Sequence, residues 1–428
     1  MIPIRSWGNL SLEPHDFRCL ASVALAPSQV RNSPGLCMGL GRSYGDVALN
    51  PGGRLWSSSA LDHFIDFDEI SGILTCEAGV SLRDIQRLMV PRGWMLPVTP
   101  GTQYVTVGGA IANDVHGKNH HVHGTFGHHV RALRLLRTDG TVMDIDYSSA
   151  DWLKATIGGL GLTGIILTAQ LQLMRVPSPW LLSETLPFYD LPTFLDLTQA
   201  SESGWDYNVA WIDCARRGSP RGLFIRAQHT VHVAGTWTES SQNMPFTPPF
   251  SLVNRISLHA FNTVYFHAHA HSSKASTVHY QPFFYPLDRI QHWNRMYGPQ
   301  GFYQYQCVVP LEAISTIQDM LETIASSSEG SFLAVLKSFG SRPSLGMLSF
   351  VRPGITLALD FPNRGRATLS LFEKLDDLLR HAGGALYMAK DARMPQDLFR
   401  AGYPSWPSFQ RFRDPGISSS LSRRLMEW

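Results

Sequence analysis

Hydrophobic and polar positions change their period along this chain, and the changes outline its elements. Residues 73–80 (ILTCEAGV) alternate towards a strand. The next run, 81–94 (SLRDIQRLMVPRGW), switches to helical spacing, with apolar side chains at Leu82, Ile85, Leu88 and Met89. Ser81 is placed to cap this helix, and Pro91 and Gly93 to end it. Residues 130–145 read as a β-hairpin turning at Asp139-Gly140. In 161–176, Leu167, Ala169, Leu171 and Leu173 alternate with polar residues, which predicts another strand.

After a proline-containing break at 176–180, residues 207–214 (YNVAWIDC) resemble a strand. Amphipathic helices are predicted over 311–328 and 367–384, the second stopped by Gly383 and Gly384. Strands at 332–340 and 355–362 lie between them. From 228 to 279 the signal fades: 238–251 has loop chemistry, and 266–276 (FHAHAHSSKAS) is polar and mobile in character. The alternation of helix and strand in the second half predicts an α+β sheet layered with helices.

Composition narrows the class. At 428 residues the chain exceeds one ordinary core, so two domains are expected. The expected division is 1–178, 179–384 and a C-terminal segment 385–428 that returns to the first domain. Hydrophobic residues at 44% and charged residues at 16% exclude extensive disorder. A formal net charge of +2 gives no ground for nucleic-acid binding. The five cysteines form no CxxC pair, so neither a zinc nor an iron–sulfur spacing is present. Their odd number fits a reducing compartment better than a disulfide framework. Neither a signal peptide nor a transmembrane helix is expected.

Candidate chemistry lies in three glycine-rich stretches: 39–46 (GLGRSYGD), 100–117 (PGTQYVTVGGAIANDVHG) and 157–164 (IGGLGLTG). None is a Rossmann fingerprint or a P-loop. Taken singly, each reads as a set of tight turns; three in one predicted domain suggest a shared ligand bearing a pyrophosphate. The second stretch runs into six histidines, His116, His120, His121, His123, His128 and His129. Their spacing lacks the carboxylates or thiols a metal site wants, so no metal is expected.

In this order the stretches resemble the FAD-binding domain of the vanillyl-alcohol-oxidase (PCMH-type) flavoproteins, and more narrowly the decaprenylphosphoryl-β-D-ribose 2′-oxidase family. Residues 283–310, 383–404 and 412–425 extend the resemblance through the second half. It implies a two-domain α+β flavoprotein: an FAD-binding domain and an antiparallel-sheet substrate domain covered by helices. Gly39, Leu40, Gly41, Arg42, Ser43, Tyr44 and Gly45 would bind the FAD pyrophosphate. Gly101, Thr106, Val107, Gly108 and Gly109 would line the cofactor, and Asn113 to His116 and Gly117 would run along its ring. Ile165 or Ile166 would face the adenine, and Tyr387 would approach from the C-terminal segment. The first stretch has no His or Cys, so non-covalent FAD is expected.

The implied reaction is oxidation of the 2′-hydroxyl of a polyprenyl-phosphoryl-β-D-ribose to the 2′-keto sugar, the first half of epimerisation to an arabinose donor for cell-wall glycan. A separate NAD(P)H-dependent short-chain reductase would complete it. The substrate's lipid implies peripheral contact with the inner membrane by a cytoplasmic protein. Lys390 is the candidate proton-handling group, with His116 second and Tyr44 as a wall beside the flavin. Gln304 and Gln306, two apart on a strand, face one way and suit sugar hydroxyls. Lys337, sharing a face with Phe339, would meet the phosphate; Trp211, Trp293 and Tyr297 would frame the pocket. Mycobacterial members carry a cysteine where Ala358 stands here and the family usually has Asn at Thr356. The alternative reading is an FAD-dependent oxidase of a soluble sugar or alditol that uses O2.

Overall fold

A computed structural model describes residues 1–270, 275–327 and 329–427. The predicted elements of the first half form where the pattern placed them. The strand Ile73–Glu77 leads into the helix Leu82–Met89, whose first turn is capped by Ser81 Oγ accepting from the Asp84 N–H at 3.1 Å. The strand Phe64–Asp68, the hairpin strands Val130–Leu136 and Val142–Asp146 and the strand Ile165–Gln172 join Ile73–Glu77 in a five-stranded antiparallel sheet. Its inner face carries Leu74, Cys76, Leu133, Leu135, Ala169 and Leu171. These pack against Leu82, Ile85 and Met89 of the capped helix and Val107, Ala110 and Ile111 of the short helix Val107–Ala112. A smaller four-stranded sheet, mixed in direction, brings Leu36–Met38 beside Arg54–Ser57 and delivers the chain into the first glycine stretch.

The second half builds one eight-stranded antiparallel sheet. Its central strands are Tyr207–Ile212, Ala334–Phe339, Gly354–Pro362 and Phe302–Val309. One face is apolar: Ile212, Leu336, Leu357, Leu359, Tyr305 and Cys307 pack under the helices Ser315–Ser327 and Arg366–His381. The period of two then sends Trp211, Lys337, Thr356, Ala358, Gln304 and Gln306 to the opposite face, towards the glycine stretches.

The C-terminal residues cross back to the first half. Arg424 donates to Asp46 and to Asp391, each at 2.9 Å. Arg137 donates to the Phe412 carbonyl at 2.8 Å, and Asp414 accepts from the Thr138 N–H at 2.7 Å. Gly45 lies so close to this segment that a Cβ there would sit 1.5 Å from the Asp391 carbonyl oxygen.

The stretch 228–279 departs from its expected loop character. It contains the 16-residue helix Arg255–Ala270, so Phe266 to Ala270 are helical. Asn254 Oδ1 accepts from the N–H groups of Ile256 and Ser257 at 3.1 Å and starts this helix. Its buried positions are Leu258, Asn262 and Phe266. The middle one is polar, donating to Asp213 Oδ1 at 2.7 Å, and this hides the apolar stripe. Residues 271–274 of that stretch, and Ser328 at the end of the predicted helix 311–328, lie outside the described residues. Among the described residues, no helix is long and apolar enough to cross a membrane.

Candidate active site

A cavity of about 700 Å³ lies between the glycine stretches and the large sheet. The first half contributes Gly39, Leu40, Gly41, Arg42, Ser43, Tyr44, Gly101, Thr106, Gly108, Gly109, Asn113, His116, Gly117 and Ile166 to its wall. From the sheet and the C-terminal segment come Trp211, Gln304, Gln306, Lys337, Tyr387 and Lys390, and Trp293 joins them from the short helical turn Trp293–Tyr297. Five candidates stand elsewhere. Val107 is buried in the core under the five-stranded sheet. Ile165 points to the other face, against Leu20, Val30 and Trp56, because a strand alternates and Ile166 takes the cavity side. Gly45 meets the C-terminal segment, Phe339 packs on the far side of His116 at 5.0 Å between ring centres, and Tyr297 stacks on Phe302 at 4.2 Å behind Tyr44.

The end of the second glycine stretch is held in place by Asp114. Asp114 has φ of 40°, a left-handed conformation that Asp tolerates better than most residues. Its carboxylate accepts from the Gly127 N–H at 2.9 Å and the Ser349 hydroxyl at 2.5 Å. That anchor turns His116 into the cavity wall. The imidazole is buried, with Lys337 Nζ 3.1 Å from Nδ1 and the Gln306 amide 3.0 Å from Nε2. Burial first, then the Lys337 charge, hold His116 well below its ordinary value of 6.5, so the ring is neutral. A neutral imidazole has one donor and one acceptor. One of its two partners must therefore accept from the ring: Gln306 does so by presenting its amide oxygen, or Lys337 does so once its amine is unprotonated.

Lys337 therefore serves His116 and the Gly117 carbonyl at 3.2 Å, while lining the cavity. Burial lowers it to about 7, and Lys118, another cavity residue, is lowered to about 7 by the same cause. With Arg42 and Lys390 the wall holds four cationic side chains against one carboxylate, Asp288, itself raised to about 6 by burial. Such a surplus suits an anionic ligand.

Lys390 stands over the Tyr44 ring, with Nζ 3.8 Å from its centre. Burial pushes Lys390 down from the ordinary lysine range and raises Tyr44 well above 10, so the phenol keeps its proton. Tyr44 is braced edge-on by Phe302 at 5.4 Å. Gln304 donates from Nε2 to Asp360 Oδ1 at 2.6 Å and also hydrogen-bonds Tyr44, so both glutamines are held by protein while they line the cavity.

The residues present fit FAD. Asn113 Oδ1 and Arg42 Nε are buried atoms of the cavity wall without a hydrogen-bond partner among the described residues. At Gly101 a Cβ would meet nothing within 4 Å and no left-handed φ is required, so the protein itself gives no reason for glycine there. A ligand passing close to the backbone supplies that reason. The histidines 120–129 are mostly spent on backbone: His121, His128 and His129 bond the carbonyls of Trp205, Pro343 and His123. Among the described residues, the group of side chains placed to hold a metal ion is Asp62, His63 and Glu77, on the surface elsewhere.

Ala358 and Thr356 line the cavity. The wall's thiol is Cys37, which burial pushes up to about 12, so it is a poor nucleophile. We expect thiol-directed reagents to label the exposed Cys19 but to leave Cys37 unmodified in the wild type, and Ala358→Cys to add a labelled site. Peptide-level mass spectrometry checks both; rapid labelling of wild-type Cys37 would contradict the first.

Residues 21–146 match the FAD binding domain family. Over 416 residues the chain is 34% identical to the decaprenylphosphoryl-beta-D-ribose oxidase of Mycolicibacterium smegmatis, spanning 91% of this chain and 88% of that one. An uncharacterized protein of Streptomyces coelicolor is 31% identical over 81% of this chain and its own full length. The L-gulonolactone oxidase of Mus musculus is 32% identical over 38% of this chain and 36% of its own. The long matches run through both halves, whereas the last is confined to a part, and together with the glycine-lined cavity they show that the chain belongs to the decaprenylphosphoryl-β-D-ribose oxidase family of FAD-dependent oxidoreductases.

Proposed function

We propose that this protein oxidises the 2′-hydroxyl of a polyprenyl-phosphoryl-β-D-ribose to the 2′-ketone. The observation that carries the reading is the placement of Lys390, over Tyr44 and beside Gln304 and Gln306, on the wall facing the glycine stretches. Bound FAD, held non-covalently, supplies a hydride acceptor. Gln304 and Gln306, side by side on the cavity wall, hold the sugar hydroxyls. Lys390 accepts the hydroxyl proton on Nζ as the C–O bond becomes a carbonyl; its lowered proton affinity gives it the neutral amine this requires. Neutral His116, fixed between Lys337 and Gln306, keeps the amide in place. The remaining cationic groups, Arg42 and Lys118, suit phosphate.

A lipid-linked substrate fits the surface beside the cavity. Phe250, before the helix Arg255–Ala270, and Ile256 and Val264 on it are 67%, 82% and 69% exposed, and Phe261 and Tyr265 of that helix reach the cavity wall. No Asp or Glu occurs between Glu239 and Asp288. This face suits peripheral contact with the membrane that holds the lipid. A separate NAD(P)H-dependent short-chain reductase is the expected partner for the ketone.

Incubation with a polyprenyl-phosphoryl ribose and a dye acceptor tests the reading. We expect dye reduction matched by a 2′-keto sugar. Rapid O2 consumption with a free alditol or sugar, and none of the lipid-linked product, would replace it with a soluble-sugar oxidase.

A further inference from the structure

One end of the cavity takes no part in the chemistry described above, and strand register lays it out. Gln306 pairs with Ala358, Ala358 with Val335 and Val335 with Trp211, on four neighbouring strands of the large sheet. All four side chains line the cavity. Three strand spacings make this row about 14 Å long. It begins at a sugar-facing amide and continues through three apolar side chains. Trp211 then meets Tyr265 edge-on at 4.9 Å, Tyr265 stacks on Phe261 at 5.5 Å, and Phe261 meets Phe332 edge-on at 4.9 Å. These rings line the cavity too, and Trp211 spends its one N–H on the Phe332 carbonyl at 3.1 Å. The row therefore ends in an aromatic arch roofed by the helix Arg255–Ala270. Phe261 is 42% exposed, which places it at the rim where this arm of the cavity meets the surface.

We propose that this arm receives the first isoprene units of the substrate's lipid, between the sheet and the helix Arg255–Ala270, so that the chain as well as the sugar is selected inside the protein. The inference rests on the reading of the substrate as a polyprenyl-phosphoryl ribose. Apolar and aromatic walls gain by taking such a chain out of water. The order of groups along the cavity matches the order in the substrate. Gln306 stands at the sugar end and Trp211 at the lipid end. Two cations stand between these ends. Lys337 is two residues from Val335 on the same strand and lines the cavity with it. The Lys118 carbonyl accepts from the Asn208 N–H at 2.7 Å, which ties that lysine to the strand of Trp211. A phosphate joining ribose to lipid needs its cations at this turn from polar to apolar wall. The rest of the chain leaves past Phe261, on the helix that also exposes Ile256 and Val264.

Flavin reduction by methyl-phosphoryl ribose and by geranyl-phosphoryl ribose, without vesicles or detergent, tests this. In the wild type the geranyl compound should have a KM lower by about tenfold or more, an effect that burial of two methylene groups already supplies. Phe261→Ser should raise KM for the geranyl compound by about the same factor and bring the two compounds together. Should that variant fail to fold, the isosteric Val335→Thr puts a hydroxyl in the middle of the arm and acts in the same sense. Equal KM for the two compounds in the wild type overturns the proposal, as does a geranyl advantage that survives substitution in a folded, flavin-loaded variant. So does an equal loss of that advantage in Val264→Ser, since Val264 lies on the exposed side of the helix and the lipid would then be read at the surface. If neither compound reduces the flavin, the reading of the reaction fails, and calorimetry decides the arm separately. Geranyl phosphate should bind with a Kd roughly tenfold below that of methyl phosphate; equal Kd values overturn the arm.

Discussion

Lys390→Ala is expected to slow flavin reduction by roughly 10²- to 10⁴-fold, the usual worth of a positioned proton acceptor. Flavin content should be retained, because the Lys390 amine meets the ring of Tyr44 rather than the backbone of the glycine stretches. Stopped-flow absorbance of the flavin under substrate excess measures the step directly. The pH profile carries a second part. Lys390 loses its proton below the ordinary lysine range, so the rate rises with pH through the lysine's lowered value and the limb vanishes in the variant. His116 adds no limb near 6.5, because burial keeps it neutral there. Reduction at the wild-type rate in Lys390→Ala would remove this lysine from the chemistry.

Gly45→Ala should be the most damaging single methyl in the protein. Its Cβ would lie 1.5 Å from the Asp391 carbonyl oxygen and 2.9 Å from the Ala392 nitrogen, and both are backbone atoms that cannot turn aside. The first glycine stretch and the C-terminal segment must part, which also strains Arg424 between Asp46 and Asp391. Overpacking of this kind costs roughly 3 kcal/mol or more. The expected result is a large fall in Tm together with loss of flavin on gel filtration. Gly101→Ala is the contrast: its Cβ meets no protein atom within 4 Å, so Tm of the flavin-free protein stays and flavin retention weakens. Equal Tm for Gly45→Ala and wild type would show that the two segments are not held together at this point.

The residues that could be read in advance share a property: their type or local spacing carries the signal. Gln304 and Gln306 face one way because strands alternate, and the glycines announce close backbone approach. The helix Leu82–Met89 shows its cap and its stripe in the sequence alone. The helix Arg255–Ala270 does not, because Asn262 occupies the centre of its buried face and histidines fill its last turn. Asp360, Asp288 and Lys118 were missed for a different reason. Each is an ordinary polar residue in sequence, and its significance comes from burial by elements far away in the chain. Strand spacing placed Phe339 on the wall and Tyr297 was expected to frame the pocket, but tertiary packing put both behind it.

Tyr387 and Lys390 belong to the last tenth of the chain, yet they close a cavity whose other walls are made first. On the ribosome, where N-terminal parts emerge early, the glycine stretches must wait through the whole second sheet before their final wall arrives. Tyr387 then donates to the Asn113 carbonyl at 2.9 Å and Arg424 clasps Asp46, so closure is a late docking event rather than a local fold. Yellow colour in this protein consequently reports synthesis through its C-terminal clasp, and chains that stall before it should emerge colourless.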